Sequence, residues 1–138
     1  MSGIRSKDTR GELVLRSALH RRGFRFLLHR RDLPGTPDVV FPRYGAVLFF
    51  HGCFWHGHGC SLFRLPKTRP DFWREKIAAN VERDRVVFAQ LMNFGWRVAE
   101  IWECSMKGAG KLEIEIVIDL CEDWLRSESL YLTVRGES

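Results

Sequence analysis

The tract His51-Gly52-Cys53-Phe54-Trp55-His56-Gly57-His58-Gly59-Cys60 holds three of the chain's five histidines and two of its four cysteines. Three glycines loosen its backbone, and two bulky aromatics stand in its middle. Such a mixture makes poor core and poor linker, and it has too little side-chain packing to hold itself. It directly follows Ala46-Val47-Leu48-Phe49-Phe50, a run apolar on both faces that predicts a central, buried strand. The fold is therefore expected to deliver a strand end and a functional site to the same place.

The flanking segments supply the layers for such a sheet. Helical spacing of Leu13, Val14, Ala18 and Leu19 predicts a helix from about Asp8 to Arg22, with Thr9 and Glu12 in capping-box positions and Gly23 as its stop. Phe24 to His29 reads as a short strand. Leu33-Pro34-Gly35-Thr36-Pro37 forbids helix and ladder alike and reads as a turn. Asp38 to Phe41 and Ala46 to Phe50 then form a hairpin. A helix starting at Thr68 or Arg69 with Pro70 runs to about Asn93, closed by Gly95, with Trp73, Ile77, Val81, Phe88 and Leu91 on its apolar face. Trp96 to Glu103 is a further strand that ends at Cys104. The stretch from Ala109 to about Arg126 fits both periods and is taken as helix because it exceeds usual strand length. Leu130 to Val134 is read as an extended segment in an otherwise polar tail.

These elements predict one α/β domain over residues 1–138, with short loose ends at about 1–7 and 127–138. No run of about 18 apolar residues predicts a membrane span. The first residues carry no secretory h-region, so a cytoplasmic protein with unpaired cysteines is expected. A formal charge of +5 favours a polyanionic partner such as nucleic acid.

Several groups can carry chemistry. Cys53, His58 and Cys60 are close enough in sequence to share one ion, and Cys104 can complete a Cys3His set suited to a closed, structural Zn²⁺ site. The alternative is buried thiols in a small core, which is the simplest account of Cys121. Asp38 at a strand edge, with Glu12 on the preceding helix, is what a nuclease needs to hold Mg²⁺ against a phosphate; turn chemistry and helix capping are the competing explanations. His51 and His56 are each able to move a proton near neutral pH. Phe54, Trp55 and Trp73 are candidates to stack on bases or wedge between base pairs, or else to fill core.

At these residues the chain resembles the very-short-patch-repair (Vsr) DNA mismatch endonucleases. The likeness runs from about Ile4 to Lys107. It rests on Lys7-Asp8-Thr9 with Glu12, Leu33-Pro34-Gly35-x-Pro37-Asp38, His51-Gly52-Cys53-Phe54-Trp55-His56, and Lys67-Thr68-Arg69-Pro70-x-Phe72-Trp73-x-x-Lys76. Asn80-x-x-Arg83-Asp84 and Gly95-Trp96-Arg97-Val98 with Trp102-Glu103-Cys104 complete it. The resemblance implies a restriction-endonuclease-like fold, a central mixed sheet flanked by helices with a structural zinc. It also implies nicking of double-stranded DNA beside a T:G mismatch left by deamination of 5-methylcytosine, which starts very short patch repair.

By matching position, Asp38 would ligate Mg²⁺ together with the backbone carbonyl of Phe50, and Glu12 would hold a water of the ion's shell. His56 would activate the attacking water, oriented by Asp84, and His51 would sit at the scissile phosphate. Cys53, His58, Cys60 and Cys104 match the zinc ligands. Phe54, Trp55 and Trp73 match the intercalating aromatics, and Lys76 and Asn80 lie where the family contacts DNA. A monomer is implied, with mismatch-repair proteins as possible partners.

Two features depart from the broader nuclease pattern or from the family. No acidic-x-Lys element follows Asp38, where Phe50-His51 stands instead, although the family also lacks that element. The basic N-terminal arm is mostly absent, which bears on affinity and mismatch preference more than on cleavage. The alternative readings are a general or restriction-like nicking nuclease without mismatch selectivity, and a zinc-stabilised, non-catalytic DNA-binding module.

Overall fold

The computed structural model describes residues 10–53 and 65–137. Its element order is α1 (Arg10–Arg21), β1 (Leu27–Leu28), β2 (Val39–Phe41), β3 (Ala46–His51), α2 (Pro70–Asn93), β4 (Arg97–Trp102), α3 (Ile114–Leu125) and β5 (Tyr131–Val134). The five strands form one mixed sheet in sequence order. β1, β2 and β3 are antiparallel neighbours, whereas β4 runs parallel to β3 and β5 parallel to β4. β3, apolar up to its final residue His51, is thus central, as its sequence predicts. The α/β class, the hairpin, the long helix and the choice of helix for residues 114–125 all hold. The extended tail segment becomes the edge strand β5.

Alternation along the strands divides the core into two layers. On one face Val39, Phe41, Ala46, Leu48, Ala99, Ile101 and Val134 meet Leu15, Ala18 and Leu19 of α1 and the buried positions of α3. On the other, Val40, Val47 and Val98 meet Leu91 near the end of α2. Two expected helix faces need correction. On α1 the buried stripe is Glu12, Leu15, Ala18 and Leu19, while Leu13 and Val14 are exposed. On α2 only Ile77 and Leu91 are buried, and Val81 is exposed. Among the described residues, the α2 helix meets the sheet chiefly through its last turns, where Val87, Phe88, Leu91 and Met92 join the second layer.

Arg97 fastens these layers together. Its guanidinium donates to the Trp124 and Leu125 carbonyls at 3.0 and 2.9 Å, and to the Tyr44 carbonyl at 3.1 Å. The first two are C-terminal carbonyls of α3; Ser127 also donates to the Trp124 one, through its N–H at 3.0 Å and its hydroxyl at 2.8 Å, so β4 and the helix's own exit together cap α3. Arg22 holds the other end of the layer, pairing with Asp119, Glu122 and Glu115 of α3 at 2.7, 3.0 and 2.9 Å. Cys121 lies in the α1/α3 core, as expected of a structural thiol, and burial pushes its pKa up to about 12. Among the described residues no helix is long and apolar enough to cross a membrane.

Candidate active site

The carboxylates expected at the strand edge do converge. Asp38 immediately precedes β2, and its backbone position is set by the preceding turn. Thr36 closes that turn by donating its N–H to the Leu33 carbonyl at 3.1 Å. Gly35 has φ of +75°, and a Cβ there would lie 2.4 Å from Val87 Cγ1 of α2. Only glycine meets both demands. The Asp38 carboxylate then accepts the Phe50 backbone N–H at 2.7 Å, a side-chain substitute for a ladder carbonyl just past the last β2–β3 pair.

Glu12, in the first turn of α1, faces the same point. It is only 1% exposed, which is costly for a carboxylate without partners. Arg16 donates to its Oε2 at 3.0 Å. Gly11 makes the close approach of α1 possible, since a Cβ there would lie 2.5 Å from the Phe50 ring. Glu12 therefore takes part in a tertiary cluster, beyond any role in capping; Thr9, its expected capping partner, lies outside the described residues.

A third group, His29, completes the cluster and was not singled out from the sequence. It follows β1 with φ of +49°, uncommon for a residue other than glycine. Its N–H continues the β1–β2 ladder by donating to the Asp38 carbonyl at 3.2 Å. The imidazole lies between the carboxylates, Nε2 at 3.4 Å from Glu12 Oε2 and Nδ1 at 3.7 Å from Asp38 Oδ1. One ligand atom from each of Glu12, His29 and Asp38 falls within 4.8 Å of the others. That donor set, two carboxylates and an imidazole, fits a divalent cation.

A second polar group lies on the α2 face, across β3, β4 and β5. His51 is 5% exposed, and its Nε2 meets Glu100 Oε2 at 2.8 Å. Tyr131 donates to the other Glu100 oxygen at 2.6 Å. Burial first, and then this hydrogen bond to Glu100, push the Tyr131 pKa up to about 12. Phe49 stacks on the imidazole at 5.6 Å and Trp102 leans on it at 4.8 Å. Glu100 and Tyr131 were also missed from the sequence. A lone glutamate among Val98, Ala99 and Ile101 was the available signal, but its meaning depends on the parallel register.

The same register bears on the zinc set. His51 pairs with Trp102, and Cys53 and Cys104 each lie two residues further on, both buried. Cys53 N–H donates to Glu103 Oε1 at 3.2 Å, and Gly136 N–H donates to Cys104 Sγ at 3.3 Å. Buried thiols at neighbouring strand ends, one accepting a backbone N–H, fit a thiolate-bound Zn²⁺. His58 and Cys60, the other two expected ligands, lie outside the described residues, as do Phe54, Trp55 and His56.

The remaining expected residues share one face of α2. Trp73, Asn80 and Asp84 are half-buried at helical spacing around Ile77, and Lys76 is exposed beside them. Phe72 meets the Trp73 ring edge to face at 5.2 Å, and Arg83 donates to Asn80 Oδ1 at 3.2 Å.

Comparison with known proteins supplies the family. Residues 1–62 match the family model for the DNA mismatch endonuclease Vsr. The chain is 45% identical over 128 residues to the DNA mismatch endonuclease Vsr of Escherichia coli, covering 93% of this chain and 82% of that one. The chain belongs to the Vsr family. It is also 55% identical over 116 residues to the type II nicking enzyme V.XorIIP of Xanthomonas oryzae, covering 84% and 85% of the two chains. A third relative, the type II nicking enzyme V.NmeAIP of Neisseria meningitidis, is 42% identical over 107 residues, 78% of this chain and 76% of that one. The residues matched by the family model include Glu12, His29, Asp38 and the end of β3.

Proposed function

We propose that this chain is a Mg²⁺-dependent endonuclease of restriction-endonuclease-like fold that nicks double-stranded DNA beside a T:G mismatch. The observation that carries the reading is the convergence of Glu12, His29 and Asp38 in a member of the Vsr family. DNA is the substrate, and the +5 charge favours its approach.

Asp38 and the Phe50 carbonyl would hold the cation, and Glu12 would orient water beside it. Bound there, Mg²⁺ would stabilise the negative charge that builds on the phosphate. His56, oriented by Asp84, takes the proton of the attacking water. His51 serves the scissile phosphate, and with Nε2 held by Glu100 the ring's Nδ1 is the atom assigned to that contact. Phe54, Trp55 and Trp73 wedge beside the mismatch, at a cost of a few kcal/mol of unstacking, while Lys76 and Asn80 contact the strand. Cys53, His58, Cys60 and Cys104 would hold a structural Zn²⁺, which would brace the glycine-rich tract that carries His56 and the wedge. The protein works as a single domain and as a monomer.

The test is a nicking assay on duplexes that differ only in T:G against C:G, with and without Mg²⁺. A strand-specific nick with T:G and Mg²⁺ alone is expected. Equal cutting of the matched duplex would replace this reading with a general nicking nuclease, and the absence of any nick would overturn it.

A further inference from the structure

We infer that His29 is a direct, nitrogen-donating ligand of the catalytic cation, joining Asp38 and the Phe50 carbonyl with Glu12 beside them, so that the site is a mixed nitrogen–oxygen set rather than an oxygen-only one. The inference rests on the metal-site reading above and adds to it a ligand that the sequence pattern did not suggest.

Three observations converge on the imidazole. Its two nitrogens lie 3.4 and 3.7 Å from Glu12 and Asp38. One of these nitrogens can bind an ion, and with one oxygen of each acid it forms a set whose atoms all lie within 4.8 Å of one another; ligands around a six-coordinate ion with bonds of about 2.1 Å are separated by roughly 3–4 Å, so an inward shift of about 1 Å closes the set. The backbone of His29 is held in the left-handed region by the bond from its N–H to the Asp38 carbonyl, which ties the ring's position to the very residue whose side chain binds the ion. Departures of this kind persist where surrounding structure over-determines them, and they concentrate at ligand sites. Finally, the ring is largely enclosed, its side chain 17% exposed, against carboxylates that are 2% and 12% exposed. A buried pair of carboxylates needs positive charge. Arg16 reaches Glu12 Oε2, and a cation held by an imidazole nitrogen would supply charge to both acids.

An imidazole ligand has a chemical consequence. Mg²⁺ prefers oxygen and retains its waters, while nitrogen donors favour later divalent ions along the first transition row. A site containing His29 therefore discriminates less strongly for Mg²⁺ and accepts Mn²⁺ well.

The experiment uses the full-length protein, Mn²⁺ alone as the probe, and pulsed electron paramagnetic resonance with and without ¹⁵N-histidine labelling. Bound Mn²⁺ is expected to show coupling to a coordinated imidazole nitrogen. That coupling should disappear in His29→Asn, a replacement that tolerates the left-handed backbone, with an approximately tenfold loss of Mn²⁺ affinity and a smaller loss for Mg²⁺. Bound Mn²⁺ without nitrogen coupling, or coupling that survives His29→Asn, would overturn the role of His29 and leave it an outer-sphere partner. Asp38→Asn separates the two readings. Loss of Mn²⁺ binding there alongside an uncoupled wild type refutes only the His29 ligand; binding unchanged by Asp38→Asn, or no binding at millimolar Mn²⁺, refutes the site itself.

Discussion

Among the described residues, the sheet buries sixteen interlocking residues under α1 and α3 and four under α2, Val40, Val47, Leu91 and Val98. The thin face carries polar chemistry that the thick face does not: the His51–Glu100–Tyr131 chain runs across it, and Trp73, Asn80 and Asp84 line the helix above it. The carboxylate cluster sits at the boundary, Glu12 reaching in from the thick layer and Asp38 from the sheet edge. The contrast teaches a division of labour. One face supplies the stability that lets the other keep a long helix and polar side chains available for a partner.

The largest stability effect should separate the layers. Leu15→Ala, at a fully buried site of the thick face, should cost about 2–5 kcal/mol in denaturant unfolding, and Val81→Ala on exposed α2 should stay within about 0.5 kcal/mol. Equal costs would break the comparison. Arg97→Met should come next, about 1.5–3 kcal/mol, because it strips the charged cap from α3; the same unfolding curves read it.

Tyr131→Phe should cost less, about 0.5–1.5 kcal/mol near neutral pH. It also has a pH signature. The Tyr131 pKa is raised from 10.0 to about 12, so folding favours the neutral phenol. The resulting stability is complete below pH 10 and is lost as pH rises towards 12. A shallower alkaline decline in Tyr131→Phe, by thermal melts against pH, is the expected outcome. The smallest effect concerns Cys121, whose thiol pKa of about 12 keeps it protonated at neutral pH. Mass mapping after mild iodoacetamide treatment should find it unmodified in the folded chain.

The sequence revealed the elements that depend on strong local signals. Pro-Gly turns, the unbroken apolar run of β3 and the Pro70 start of α2 were all legible. Which face of α1 is buried was not, because Leu13, Val14 and Leu15 are equally apolar and only the packing of Glu12 towards Asp38 selects the Leu15 stripe. The candidate site was legible where a family pattern names its residues, as at Asp38, Glu12 and His51. His29 and Glu100 escaped because each acquires its role through strand register, one against Asp38 and the other against His51. Local periodicity carries no such information.

The central claim is that phosphodiester cleavage depends on the cluster centred on Asp38. Single-turnover nicking of a T:G duplex in Mg²⁺ should fall at least about a thousandfold in Asp38→Asn, equivalent to about 4 kcal/mol of transition-state stabilisation, while DNA affinity and melting temperature stay close to those of the parent chain. Nicking within threefold of the parent in a folded, DNA-binding Asp38→Asn variant would contradict the account.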